Sequence, residues 1–385
     1  MREELCGYLI RRERLRRDWS QEGLCRGICA ASYLSKIEQG KTRPSEEIVK
    51  ALFARLGQPW YGAAELGDAP ALLESAYDVL LSGDTAGFRE TQANIETLAE
   101  KLRSSPFAMD AELLLALMKQ EEQPLDAALE PYLDARQLAL QRLLQGREQE
   151  AIRLCPEAFF YYWAGAAAYE RGGSYAAAMS DLQRGCDLAA RDGRPHLMLL
   201  CRMLMGNCYA NLLETDGMER EYTAARRLAT ALGRGDDVRA MDYNSASTRL
   251  ETGDYHSAYA YFSALETPSL MDLHKLAVCC EKLDQREAAL AALDRADAME
   301  SEWPETQDAR EMCALVRFRL EHPDYLRRSE YGSALLAVFR RCREKLPVGY
   351  AGFHLPWVLE WYTATRRYRE ACELLREFPL KTKYI

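Results

Sequence analysis

Apolar positions recur along the chain at helical spacing from its first residues. Leu5, Leu9 and the aliphatic stem of Arg12 fall on one face of a helix running to about Arg17. Ser20 is placed to cap a second helix from Gln21, which Gly27 is expected to end after two to three turns. A third helix is predicted over Ala31–Gln39, with Leu34 and Ile37 inward and Gly40 as its left-handed stop. Beyond the loop KTRP, Ser45 caps a further helix in which Ile48, Leu52 and Leu56 recur every four residues. From about Ala69 onward, amphipathic segments alternate with breaks at Gly, Pro or Asp, and no stretch has the two-residue alternation of a strand. The pattern predicts an all-α protein.

Composition sharpens this picture. The 385 residues are 48% hydrophobic, enough for two or three domains with sizeable cores. Residues 1–66 carry 12 Lys and Arg against 9 Asp and Glu, whereas the remainder carries 38 against 50, giving the net charge of −9. A basic module on an acidic body restricts any polyanion to the N-terminal part, because the body repels it. The twelve cysteines are scattered from Cys6 to Cys372 and include the neighbours Cys279 and Cys280. Reduced, mostly buried thiols are expected rather than a disulfide framework. The charged N-terminus is unlike a secretory signal, and the longest uncharged run, AFFYYWAGAAAY, is too short to span a bilayer. A cytoplasmic protein without membrane contact is expected.

Two short helices joined by a tight turn match the helix-turn-helix, whose second helix enters the DNA major groove. The stretches WSQEGL and SYLSKIEQGKTRPS resemble the phage-repressor or XRE type of helix-turn-helix over about residues 7–57. The resemblance implies a DNA-binding domain over residues 1–66 that takes a double-stranded operator. It gives Gln21 a DNA phosphate, Ala31, Ser32, Ser35 and Lys36 the groove-facing positions, and Lys41 and Arg43 the backbone; Tyr33 completes the DNA-binding candidates. It also implies an internal ion pair between Arg14 and Glu38. Ala30 stands where that family has a capping Ser or Thr, and Ala31 where it often has a long polar reader. An alanine methyl can touch only a thymine methyl, so phosphate contacts and DNA shape are expected to carry much of the recognition.

The body, residues 67–385, reads as a repeat array. GSYAAA, GDYHSA, LDQREA and RRYREA share the form x-x-Tyr-x-x-Ala, with Gln285 in place of one tyrosine. Their alanines, at 178, 258, 288 and 371, are consistent with units of about 30 to 45 residues. These segments resemble the tetratricopeptide repeat, most clearly in YYWAGAAAYERGGSYAAAMSDL. There Ala166 and Ala178 take the close-crossing positions, and Tyr169, Gly173 and Tyr175 keep the usual spacing. The aromatic run 159–163 is expected to pack between repeats. The resemblance implies a right-handed α-superhelix with a concave face suited to extended peptides. In that register Asn207 and Asn211 face the concavity, and Tyr243, Asn244 and Ser247 adjoin them, with Trp163 as a further aromatic wall. Amides both donate and accept, which suits a peptide backbone; the other reading makes these residues inter-repeat caps or solvent-facing groups.

Catalysis finds little support. The five histidines lie far apart, and no metal-ligand or phosphate-cradling motif is present; no cofactor and no enzymatic activity are expected. A helix-turn-helix of this type followed by such repeats resembles the Rgg/PlcR-type family of peptide-pheromone receptors. That resemblance implies a homodimeric transcriptional regulator switched by a short linear peptide, as in quorum sensing. Two further readings stay open: repeats that dock a protein partner, and a repressor that needs no ligand.

Overall fold

The computed structural model describes residues 5–85, 87–119, 127–171, 175–299, 305–346 and 348–377, so Gly173 of the repeat motif lies outside the described residues. These residues are helical, without strands. The chain divides into two compact units, Met1–Ala167 with Ser180–Cys201, and Ala168–Met179 with Arg202–Ile385.

The first unit begins with α1 (Leu5–Arg16), α2 (Gln21–Cys25), α3 (Ala31–Glu38) and α4 (Glu46–Arg55). The capping expectations hold: Ser20 Oγ accepts from the Gly23 amide at 3.0 Å, and Ser45 Oγ from the Ile48 amide at 3.5 Å. Ala30 offers α3 no side-chain cap. The second helix is shorter than expected, since α2 ends at Cys25. Leu9, Leu24, Leu34, Ile37 and Leu52 are fully buried between these helices.

Next come α5 (Ala69–Ser82), α6 (Phe88–Arg103), α7 (Ala108–Lys119), a 3-10 turn at Ala127–Tyr132, α8 (Ala135–Leu144) and α9 (Glu148–Leu154), each α-helix packed on the next. The core of the four N-terminal helices continues into this region, taking in Ala108 and Met109 of α7 together with Leu129 and Leu133. The Tyr61 amide also donates to the Ser104 carbonyl at 2.9 Å, fastening the chain beyond α4 to the α6–α7 turn.

Helices α10 (Ala158–Arg171), α11 (Tyr175–Arg191) and α12 (Pro195–Asn211) each contribute residues to both units. In the aromatic run, Phe159 and Phe160 are buried with ring centroids 5.6 Å apart, as expected of packing residues. Ala178 is buried, whereas Ala166 is half-buried beside the buried Ala164 and Gly165.

The second unit continues with α13 (Thr215–Ala231), α14 (Gly235–Thr252), α15 (Tyr255–Ser263), α16 (Leu270–Lys282), α17 (Arg286–Asp297), α18 (Glu305–Glu321), α19 (Ser329–Lys345), α20 (Val348–Ala364) and α21 (Tyr368–Glu377). From α13 to α21 each helix packs on the next. The turns from α11 to α15 share one device. A residue in the left-handed region stands at Gly193, Leu213, Gly233 and Gly253, a strict twenty-residue period. The following amide bonds back to a carbonyl of the helix just ended, as in Arg234 N–H to Ala229 O at 2.8 Å and Asp254 N–H to Arg249 O at 2.9 Å. Two such steps make a forty-residue helix pair. The same device corrects the register of LDQREA. Asp284 is the left-handed residue there and the helix starts at Arg286, so Ala289 is buried and Ala288 exposed. Arg286, not Gln285, therefore takes the place of the tyrosine.

Ten of the twelve cysteines are buried thiols. Burial pushes the Cys279 and Cys313 thiols up to about 12. In the second unit His274 and His354 are wholly buried and stacked at 6.0 Å. Burial lowers both imidazoles, and Lys275 and Arg319 add to the effect; His354 falls to about 3.

Two expected outcomes follow. Burying Met109, Leu129 and Leu133 contributes about 1.5 to 3 kcal/mol each, comparable in sum with the stability of a small domain. A fragment ending at Leu66 should therefore unfold well below one ending at Cys201 in thermal melts read by circular dichroism. The histidines impose a pH dependence. They are neutral when folded and accept protons when unfolded near the ordinary value of 6.5, so stability is complete above that value and is lost as pH falls toward 3. Urea midpoints should drop across this window, and His274→Leu with His354→Leu should flatten the drop.

Candidate functional site

The N-terminal helices present α3 on one side and the basic loop beyond it on the next. Leu34 and Ile37 anchor α3 to the core, which leaves Ser32 and Lys36 exposed and Ala31, Tyr33 and Ser35 half-buried. Tyr33 packs against the core with part of its ring. Lys41 and Arg43 are exposed in the loop. One residue of this face was missed by sequence reasoning: Gln39, exposed, donates to Ser35 Oγ at 3.1 Å. Its spacing of four from Ser35 and seven from Ser32 was the available signal.

The scaffold of this surface is electrostatic. Arg14 grips Glu38 through two bonds, Nε to Oε1 at 2.7 Å and Nη2 to Oε2 at 2.8 Å, and donates through Nη1 to the Trp19 carbonyl at 2.7 Å. Both side chains are buried, as the expected internal pair requires. The hydrogen bonds to Glu38 are the main reason the Arg14 guanidinium is held above its ordinary range. Gln21 Nε2 joins the same carboxylate at 2.8 Å. The side chain expected at a DNA phosphate is thus engaged with Glu38 here. Arg55 of α4 supports the turn between α2 and α3 by donating to the carbonyls of Leu24 and Arg26.

A second site lies in the second unit. Asn207 and Asn211 of α12 and Tyr243, Asn244 and Ser247 of α14 line one cavity of about 140 Å³, together with Tyr169, Thr248, Glu251, Lys275 and Tyr350. Asn207 Oδ1 accepts from the Tyr222 hydroxyl at 2.5 Å and from Asn244 Nδ2 at 3.3 Å. With that oxygen occupied, the N–H2 group is the donor side of Asn207. Asn211 Nδ2 donates to the Tyr169 hydroxyl at 3.2 Å. Burial raises the phenols of Tyr222 and Tyr243, keeping both as neutral donors. Tyr222 reaches Asn207 because Gly206 stands at the helix crossing: a Cβ there would lie 2.2 Å from the Tyr222 ring.

Lys275 is buried on the cavity wall with its ammonium 3.0 Å from the centre of the Phe353 ring. Trp163 belongs to the first unit, where it packs on Phe159 at 5.7 Å, and the cavity takes Tyr169 as an aromatic wall. Tyr222 was legible only through its small partner Gly206; Lys275 and Tyr350, from α16 and α20, carry no local signal. Among the described residues no group of His, Cys, Asp or Glu is arranged to hold a metal ion, and no helix is long and apolar enough to cross a membrane.

The Glu38 network generates a stability test. Glu38→Ala leaves Arg14 buried without its partner and should cost about 3 to 5 kcal/mol, read as a lower urea midpoint. Replacing Arg14 and Glu38 together with Met should recover much of that loss.

Comparison with known proteins bears on the N-terminal region. No curated protein and no solved structure matches the chain. Residues 10–60 match the Helix-turn-helix family model, a span holding α2, α3, α4 and most of α1. The chain thus carries, over residues 10–60, a helix-turn-helix domain of the kind that marks DNA-binding transcriptional regulators.

Proposed function

We propose that this protein is a transcriptional regulator whose helical repeats bind a short linear peptide and pass that event to the DNA-binding helices. The observation that supports the ligand is the convergence of Asn207, Asn211 and Asn244 with Tyr243 and Ser247 around one cavity. Buried peptide groups left unpaired cost about 1 to 3 kcal/mol each, so an extended ligand needs amides on the wall that receives it. The cavity volume, about 140 Å³, is below the 300 to 1,000 Å³ of common small-molecule pockets and suits a single residue of a longer ligand. The remaining residues of the peptide would lie along the adjoining repeat surface. This reading accords with the resemblance to Rgg/PlcR-type receptors and to quorum-sensing regulation.

The same reading includes a homodimer. Paired helix-turn-helix modules address half-sites about 34 Å apart, so a ligand that changes their separation changes operator affinity.

The test begins with purified native protein. Mass spectrometry of material released by denaturation should detect a short peptide in stoichiometric amount. The double variant Asn207→Ala with Asn244→Ala should release none while retaining DNA binding. Native protein repeatedly free of peptide, or a double variant that keeps it, would remove this reading.

A further inference from the structure

We propose that Tyr132, outside the helix-turn-helix segment, is a positioning residue for DNA binding. The inference rests on residues 10–60 binding DNA. Tyr132 closes the 3-10 turn Ala127–Tyr132, beyond α7, and reaches back to the C-terminal end of α3. Its hydroxyl donates to the main-chain carbonyl of Glu38 at 3.4 Å. The last carbonyls of a helix have no partner within it, so an outside donor at this point fixes where the helix ends.

The ring of Tyr132 lies against Gly40. A Cβ on Gly40 would come within 2.9 Å of Tyr132 Cε1, and the backbone there is left-handed at φ +66°. Only glycine meets both conditions without strain. Gly40 is also where the chain leaves α3 for the basic loop: the Lys41 amide bonds back to the Lys36 carbonyl at 2.8 Å, and Lys41 and Arg43 follow. The direction in which those two cations leave the helix is therefore set against a tyrosine ring supplied from outside the domain. Nearby contacts hold the ring and α1 in register. Tyr8 meets Tyr132 at 6.0 Å between centroids, and Arg12 bonds Glu112 of α7 at 3.3 Å.

Filling space alone would call for any ring at this position. The hydroxyl on the Glu38 carbonyl and the ring on Gly40 instead fix both ends of the step from helix to loop. Phosphate contacts made by that loop register in the salt dependence of binding, since each one releases condensed counterions and changes the slope of log K against log salt by about 0.9.

The experiment uses the full chain and a mixed-sequence 30-base-pair duplex, with binding followed by fluorescence anisotropy from 50 to 200 mM KCl. Tyr132→Ala should weaken binding about tenfold at mid-range and lower the slope by about one to two phosphate contacts. It should add little to the loss already produced by Lys41→Ala with Arg43→Ala. Tyr132→Phe, which keeps the ring, should recover about half of that loss and fall about threefold short of the wild type. A wild-type slope in Tyr132→Ala, or a loss that adds in full to that of the loop variant, would overturn the proposal. Should Tyr132→Ala fail to fold by circular dichroism, Tyr132→Phe decides alone, and binding equal to wild type counts against it. Absence of salt-dependent binding by the wild-type chain would instead remove the DNA-binding reading beneath it.

Discussion

Glu38 accepts hydrogen bonds from Arg14 and Gln21 while almost wholly withdrawn from water, and it does so from the last turn of α3. A carboxylate in that position is tolerable only when its charge is matched and its lone pairs are used. Meeting that condition fixes three helices at once, because Arg14 comes from α1, Gln21 from α2 and the carboxylate from α3. The exposure of Ser32, Lys36 and Gln39, with the half-buried Ser35 between them, is a consequence of how α3 is held. Arg55 acts in the same sense from α4, by holding carbonyls of the turn between α2 and α3.

The repeat region solves a different problem by the same economy of contacts. From α11 to α15 the helices are joined by turns in which one left-handed residue and one backward hydrogen bond close the preceding helix. Regular turns bring α12 and α14 side by side, and Asn207 and Asn244, one helical turn short of the forty-residue period, share a hydrogen bond at 3.3 Å. The cavity has its polar wall from that regularity. Two further lining residues, Lys275 and Tyr350, come from helices farther along the chain and owe nothing to the local period.

This contrast explains what could be read from the sequence. Ser20, Ser45, Leu34 and Ile37 act within a few residues of themselves, so caps and buried faces were visible in the local pattern. The Arg14–Glu38 pair and the grouping of Asn207, Asn211, Tyr243, Asn244 and Ser247 came from family resemblance joined to helical spacing. Features set by distant partners were not visible. The length of α2 is one, and the continuation of the N-terminal core into Met109, Leu129 and Leu133 is another. The one-residue shift at Ala289 was hidden because a left-handed aspartate, Asp284, stands where Gly193, Gly233 and Gly253 stand in other turns.

The central claim is that DNA meets this protein through residues 20–43 and that the repeats serve another ligand. Hydrogen exchange on the full chain, with and without duplex DNA, tests it most directly, because protection is read peptide by peptide across both regions. Slower exchange in segments covering residues 20–43, with residues 195–252 unchanged, is the result the account predicts. Protection centred on the repeats, or none in residues 20–43 at saturating DNA, would contradict it.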